Sequence, residues 1–129
     1  VPGIFQPVSI RGHEYVDGGL VSPVPVRFAR EMGATFIIAV DISNKPQMGK
    51  TKSSLDVLLQ TFAIMGQSLN RSELPLADII IRPDISQLAS ADFKTRHLAV
   101  LEGEKAAAQA LPALKAKLDS WQKANPRKE

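Results

Sequence analysis

Asp17 stands where chemistry is easiest to arrange. It closes an alternating stretch that ends in Tyr15-Val16 and is followed by Gly18-Gly19. Glycines there let the backbone turn sharply and leave room beside the carboxylate, so an acid is presented at a strand end with space for a reacting group. Asp-Gly is also one of the commonest turn pairs, and on its own the dipeptide serves a plain bend equally well. Ser22 is the nearest serine, but it lacks flanking glycines and precedes Pro23, so it reads as a helix cap rather than a nucleophile. His13 lies close enough to invite a Ser-His-Asp triad, yet the alternating pattern places it on a turn or an exposed strand edge. His97 falls in a helical stretch and reads as structural.

The remaining candidates fail on spacing or composition. Gly49-Lys50-Thr51 sits between a buried-strand pattern and a helix, as the end of a phosphate-binding loop does. That loop also needs a glycine where Asn44 stands, and Pro46 removes an amide from the cradle. Cysteine is absent, which removes disulfides, thiolate nucleophiles and sulfur-ligated metals and agrees with a reducing compartment. Two histidines are too few for a histidine-rich metal site, and Asp41, at a strand end, reads as a loop or cap residue. The sequence holds no Gly-x-Ser-x-Gly and no glycine run that would donate amides to an oxyanion. The net charge of +3 gathers near the end, where Lys115, Lys117, Lys123, Arg127 and Lys128 face only Asp119 and Glu129. Such a tail reads as solvated, with weak attraction to an anionic membrane surface as the alternative. No aromatic residues interleave with these cations, so nucleic acid is not an expected partner.

The elements that must position Asp17 follow from periodicity. Residues 7–16 alternate around Arg11-Gly12, predicting two short strands and a tight turn. Ser22-Pro23-Val24-Pro25 opens a short, largely buried helix through Val26, Phe28, Ala29 and Met32, with Gly33 as its left-handed cap. Thr35-Phe36-Ile37-Ile38-Ala39-Val40-Asp41 is a continuous apolar run, the profile of a parallel strand covered on both faces. A loop over residues 42–52 leads to Ser53, an N-cap for an amphipathic helix through Leu55, Leu58, Leu59, Phe62, Met65, Gln67 and Leu69 to about Asn70. On it, Phe62, Ile64 and Met65 read as core, with an acyl-chain groove as the alternative. Pro75 ends any continuation, and Ala77-Asp78-Ile79-Ile80-Ile81-Arg82-Pro83 supplies a second buried strand, giving a right-handed parallel crossover. From Asp92 the pattern is helical through the alanine-rich residues 106–110, with Pro112 opening a last helix.

The class is α/β. The 129 residues, 44% of them hydrophobic, form one soluble unit or part of one, with no stretch long and apolar enough to span a bilayer. Two parallel strands and a hairpin are too narrow a sheet for the apolar area of these helices, so a preceding segment or another chain is expected to complete it. Val1-Pro2-Gly3 reads as an interior turn, and the natural N-terminus is expected further upstream.

The text around Asp17 adds what the dipeptide lacks. Pro2-Gly3-Ile4-Phe5-Gln6-Pro7-Val8 is followed by Tyr15-Val16-Asp17-Gly18-Gly19-Leu20-Val21, Pro23-Val24-Pro25, Gly33-Ala34 and Ile38-Ala39-Val40-Asp41. In this order of motifs the chain resembles the second half of the patatin-like phospholipases, bacterial members above all, over residues 1–41. Pro83-Asp84-Ile85 and Ala91-Asp92-Phe93 before an alanine-rich helix are a looser likeness to the family's tail. The resemblance implies that residues 1–129 are the C-terminal part of a single hydrolase domain with a three-layer α/β/α fold and a mostly parallel sheet. It implies a lipid acyl hydrolase, a phospholipase or serine esterase using a Ser-Asp dyad, with Asp17 as the catalytic aspartate and Gly18 and Gly19 as motif support. The serine nucleophile and the oxyanion loop would come from an N-terminal half absent here, so this chain alone is expected to be inactive. Ile4 and Phe5 would wall a lipid or acyl-ester substrate; no metal or organic cofactor is implied; the location would be cytoplasmic, with peripheral membrane contact. A free carboxylate, with a pKa of about 4, is a weak base toward an alcohol, so the site must press Asp17 against the serine and exclude water. Two alternatives stay open: a non-catalytic α/β scaffold or binding module with Asp17 as a turn residue, and a nucleotide-binding α/β protein.

Overall fold

The computed structural model describes residues 6–43, 53–86 and 95–126. Ile4, Phe5, Gly49-Lys50-Thr51 and Ala91-Asp92-Phe93 lie outside the described residues. Strands β1 (Val8–Ile10) and β2 (His13–Tyr15) pair antiparallel, with Ile10 opposite His13. Arg11 and Gly12 between them take φ of 51° and 79°, the two left-handed residues that a two-residue hairpin turn needs to match the twist of its strands. Both strands are exposed along their length.

Helix α1 (Val26–Glu31) ends as its sequence predicts. Gly33, at φ 95°, lets the Gly33 N–H reach Arg30 O (2.9 Å) and the Ala34 N–H reach Ala29 O (3.0 Å), satisfying two carbonyls of the last turn. The expectation of a largely buried helix is corrected: Val26 is buried, while Arg27, Phe28 and Glu31 are exposed. Six residues make under two turns, and only one edge of so short a helix meets the core.

Strands β3 (Ile38–Val40) and β4 (Ile79–Ile81) form the expected parallel pair, Ala39 opposite Ile80, and helix α2 (Ser54–Glu73) lies between them in sequence. The hairpin and the parallel pair are two separate two-stranded sheets. Ala39 is 4% exposed, but its neighbours Ile38 and Val40 are 47% and 51% exposed, so β3 is covered on one face, not both. The covered face packs Ile37 and Ala39 against Val26 of α1 and Leu74 of the short 3-10 turn Leu74–Leu76, with Val24, Ala29, Ala34, Ala77 and Ile80 around them.

Ser53 caps α2 as expected, its hydroxyl accepting the Asp56 N–H at 3.1 Å. The helix runs past Asn70 to Glu73, and its inward stripe matches the expected one only in part, at Phe62, Gln67 and Leu69. Phe62, Ala63, Gly66, Leu69, Asn70 and Glu73 are half-buried or buried, whereas Leu55, Leu58 and Leu59 are exposed. Among the described residues the C-terminal part of α2 meets the rest of the fold, and there the small or polar Ala63, Gly66, Asn70 and Glu73 join Phe62 and Leu69.

Helix α3 (Arg96–Ala124) is continuous, so Pro112 lies within it instead of opening a new one. Loss of one amide is tolerated because α3 is held by packing on β4 and by an edge-on contact of Trp121 with Phe36, ring centroids 6.1 Å apart. A polar tie joins α1, β3 and β4: Asp78 Oδ2 accepts from Arg30 Nη2 (2.6 Å) and from the Ile37 N–H (2.8 Å). No helix among the described residues is long and apolar enough to cross a membrane.

Candidate active site

The chain leaves β2 through Val16 and bends at Asp17, which stays extended at φ −61° and ψ 119°. One turn of 3-10 helix, Gly18–Leu20, follows, and Asp17 caps it: Oδ1 accepts the Gly19 N–H at 2.8 Å. The Leu20 N–H reaches Asp17 O at 3.2 Å, and the Val21 and Ser22 N–H groups both reach Gly18 O at 3.0 Å. The chain turns sharply at these glycines and leaves room beside the carboxylate, but without positive φ. The positive-φ glycines among the described residues are Gly12 and Gly33, so neither Gly18 nor Gly19 supplies a left-handed bend. Gly19 is needed for space instead: a Cβ there would sit 3.1 Å from Asp17 Oδ1, whereas one on Gly18 would meet nothing within 4 Å.

Asp17 borders a cleft of about 230 Å³ between this bend and α2. Gly19, Leu20 and Pro23 form one wall, and Phe62, Met65 and Gly66 the other. Gly66 permits the approach, since a Cβ on it would stand 3.3 Å from Pro23 Cγ. Of the three α2 residues weighed as an acyl groove, Phe62 and Met65 line this cleft; Ile64 is exposed and is not part of its lining.

A wider groove of about 720 Å³ adjoins it at Ser43 and Gln67, at the C-terminal ends of β3 and β4 where ligands of open parallel sheets collect. Asp41 has the loop role expected of it, accepting from the Ser43 N–H (3.1 Å) and from Arg82 Nε (3.2 Å). Partial burial pushes its carboxyl up, but the Ser43 hydroxyl and N–H and the Arg82 guanidinium outweigh that and hold it below the usual carboxylate range. Asn70, 3% exposed, donates to Ser43 Oγ at 2.7 Å, while its Oδ1 has no partner among the described residues.

Ser22 corrects its own expectation. It does not cap α1, whose N-cap is Pro25 without a side-chain bond. It is buried, and its hydroxyl donates to Glu73 Oε2 at 2.8 Å; the same oxygen accepts the Arg27 N–H at 3.4 Å, serving the uncapped start of α1 from another helix. Glu73 and Asn70 were missed in the sequence. Their signal was positional, for they continue at helical spacing the stripe begun by Phe62 and Gly66. His13 lies exposed in β2 and His97 exposed in α3, as expected. Among the described residues, no group of three or more histidine, aspartate or glutamate side chains is arranged to hold a metal ion.

Comparison with known proteins bears on the bend directly. Residues 1–30 match the patatin-like phospholipase family. Asp17, Gly18 and Gly19 fall inside that patatin-like segment, and the α/β elements around it agree with part of a patatin-like fold. Three curated relatives, uncharacterized NTE family proteins of Mycobacterium bovis and of two strains of Mycobacterium tuberculosis, are 28% identical to the chain over 138 residues. The matches cover 88% of the chain and 24% of each relative, so the chain spans about a quarter of the length of these relatives.

Proposed function

We propose that this chain is the C-terminal part of a single patatin-like hydrolase domain, and that the whole protein is a lipid acyl hydrolase with Asp17 as the general base of a Ser-Asp dyad. The observation that carries the reading is the placement of Asp17: it lies inside the patatin-like match and borders the apolar cleft. The serine and the oxyanion donors come from an upstream segment. Exposed Ile38 and Val40 on β3 support a further layer over the sheet.

In the proposed reaction the upstream serine hydroxyl attacks the ester carbonyl as Asp17 takes its proton, which passes to the departing alcohol. Water then attacks the acyl-serine, Asp17 accepts the water proton, and that proton returns to the serine as the fatty acid leaves. No metal or organic cofactor enters these steps. The cleft between Leu20, Phe62 and Met65 takes the acyl chain beside the carboxylate. Contact with the membrane surface is peripheral.

Asp17→Asn in the full-length protein is expected to lower hydrolysis of a p-nitrophenyl fatty acyl ester by about 10³-fold with the fold intact. Near-normal turnover would remove the assignment. The 129-residue chain alone is expected to be inactive. A second reading, a non-catalytic scaffold with Asp17 as a turn residue, draws on the bond from the Gly19 N–H to Asp17. It expects no ester hydrolysis by the full-length protein with or without Asp17.

A further inference from the structure

Ser22 and Glu73 are 6% and 7% exposed and meet from positions 51 residues apart. A buried carboxylate is costly unless hydrogen-bonded, and an apolar residue would fill the same volume without that cost. What the carboxylate adds is direction. Its bonds to the Ser22 hydroxyl and the Arg27 N–H join the end of α2 to the bend and to the start of α1. The residue it grips is the one whose own N–H closes on Gly18 O, completing the turn that begins at Asp17. The middle of the same helix, through Phe62, Met65 and Gly66, forms the wall opposite Asp17. The bend is thus fixed to α2 at two places, Pro23 against Gly66 by close packing and Ser22 against Glu73 by a hydrogen bond.

We infer that Glu73, acting through Ser22, is a positioning residue that sets the Asp17 carboxylate against the cleft wall. The inference rests on the reading of Asp17 as the base. A group displaced by roughly 1 Å loses rate on the scale of 10²-fold, and most of that loss falls on the chemical step.

The test uses the full-length protein and a p-nitrophenyl fatty acyl ester. Ser22→Ala and Glu73→Ala are expected to lower kcat about 10- to 100-fold while KM moves by less than about threefold. Glu73→Gln keeps an acceptor oxygen for the serine hydroxyl and is expected to hold kcat within about fivefold of the unaltered protein. In Ser22→Ala, amide exchange at positions 21 and 22 is expected to quicken by about tenfold, with the middle of α2 unchanged. Unaltered kcat in Ser22→Ala despite faster exchange at the bend would make the pair structural only and overturn the inference. Equal losses in Glu73→Gln and Glu73→Ala would also overturn it. If Glu73→Ala does not fold, Ser22→Ala, which removes one hydroxyl, carries the test alone. Failure of the underlying reading is separate: it shows as normal turnover in Asp17→Asn, whereas loss there with normal Ser22→Ala and Glu73→Ala sinks the positioning role alone.

Discussion

Asp78→Ala removes the tie that holds β3 and α1 on β4, and its cost can be worked from the geometry. Asp78 Oδ2 accepts both the Ile37 N–H at 2.8 Å and Arg30 Nη2 at 2.6 Å. Ile37 is 7% exposed, so its N–H loses a charged partner with little access to water; a bond of that kind contributes about 1.5–3 kcal/mol. The Arg30 pair is about a third exposed at both side chains, and Arg30 keeps Ala34 O and Leu76 O, so its loss adds about 0.5 kcal/mol. A total of about 2–3.5 kcal/mol lowers the melting temperature by about 6–14 °C for a domain of this size. Thermal unfolding by circular dichroism reads it. The pH dependence gives a second check. Burial pushes the Asp78 carboxyl up, but the Ile37 N–H, Arg30 and Lys117 outweigh that and hold it below its ordinary 3.8. A carboxyl depressed on folding contributes its full stability above the unfolded value and loses it as pH falls through the folded one. The gap between the unaltered protein and Asp78→Ala is therefore complete at pH 6 and closes below pH 3.8. A shift under about 2 °C, or a gap that widens toward acid, refutes the reasoning.

Three further substitutions test local geometry, two of them at glycines that the sequence alone treats alike. Gly19→Ala places a methyl 3.1 Å from Asp17 Oδ1 while Gly18→Ala meets open space, so in the full-length protein ester hydrolysis is expected to fall about tenfold more in the first than in the second; equal effects would show that the spacing is irrelevant. Pro112→Ala restores an amide and a better helix former to the interior of α3 and is expected to stabilise the protein by about 2 kcal/mol in urea unfolding, while a loss of stability would mean that the proline ring makes a contact worth more than the helix bond.

What was legible in the sequence was legible where one local rule acted alone. Arg11-Gly12 specified its hairpin turn, Gly33 its helix end, Ser53 its cap, and the runs around Ile38 and Ile80 their parallel pairing. Errors arose where a distant residue decided. Ser22 had every local qualification for a cap, but the carboxylate that claims its hydroxyl is 51 residues away. The leucines of α2 gave the stronger periodic signal, yet the buried stripe is the one carrying Gly66, Asn70 and Glu73, because small and polar residues allow the close approach to Pro23 and the bond to Ser22. Pro112 marked a helix start by propensity and was overridden by the packing of α3 on β4 and of Trp121 on Phe36.

The bond from the Gly19 N–H to Asp17 supports both readings of the bend, and physical chemistry shows why they do not conflict. An N–H donated to a carboxylate stabilises the charged form and so weakens it as a base, which taken alone favours a turn residue. The same bond fixes the side chain's orientation before any substrate arrives. For a carboxylate that must meet a hydroxyl directly, fixed geometry is worth more than the basicity given up, since alignment contributes several kcal/mol to a barrier and one N–H costs much less. The turn that makes Asp17 look ordinary is therefore also the turn that would hold a working base in place. What would separate the two is the surface beside it: Asp17 is exposed and borders a cleft whose far wall is Phe62 and Met65, the neighbour on which the proposed reading draws.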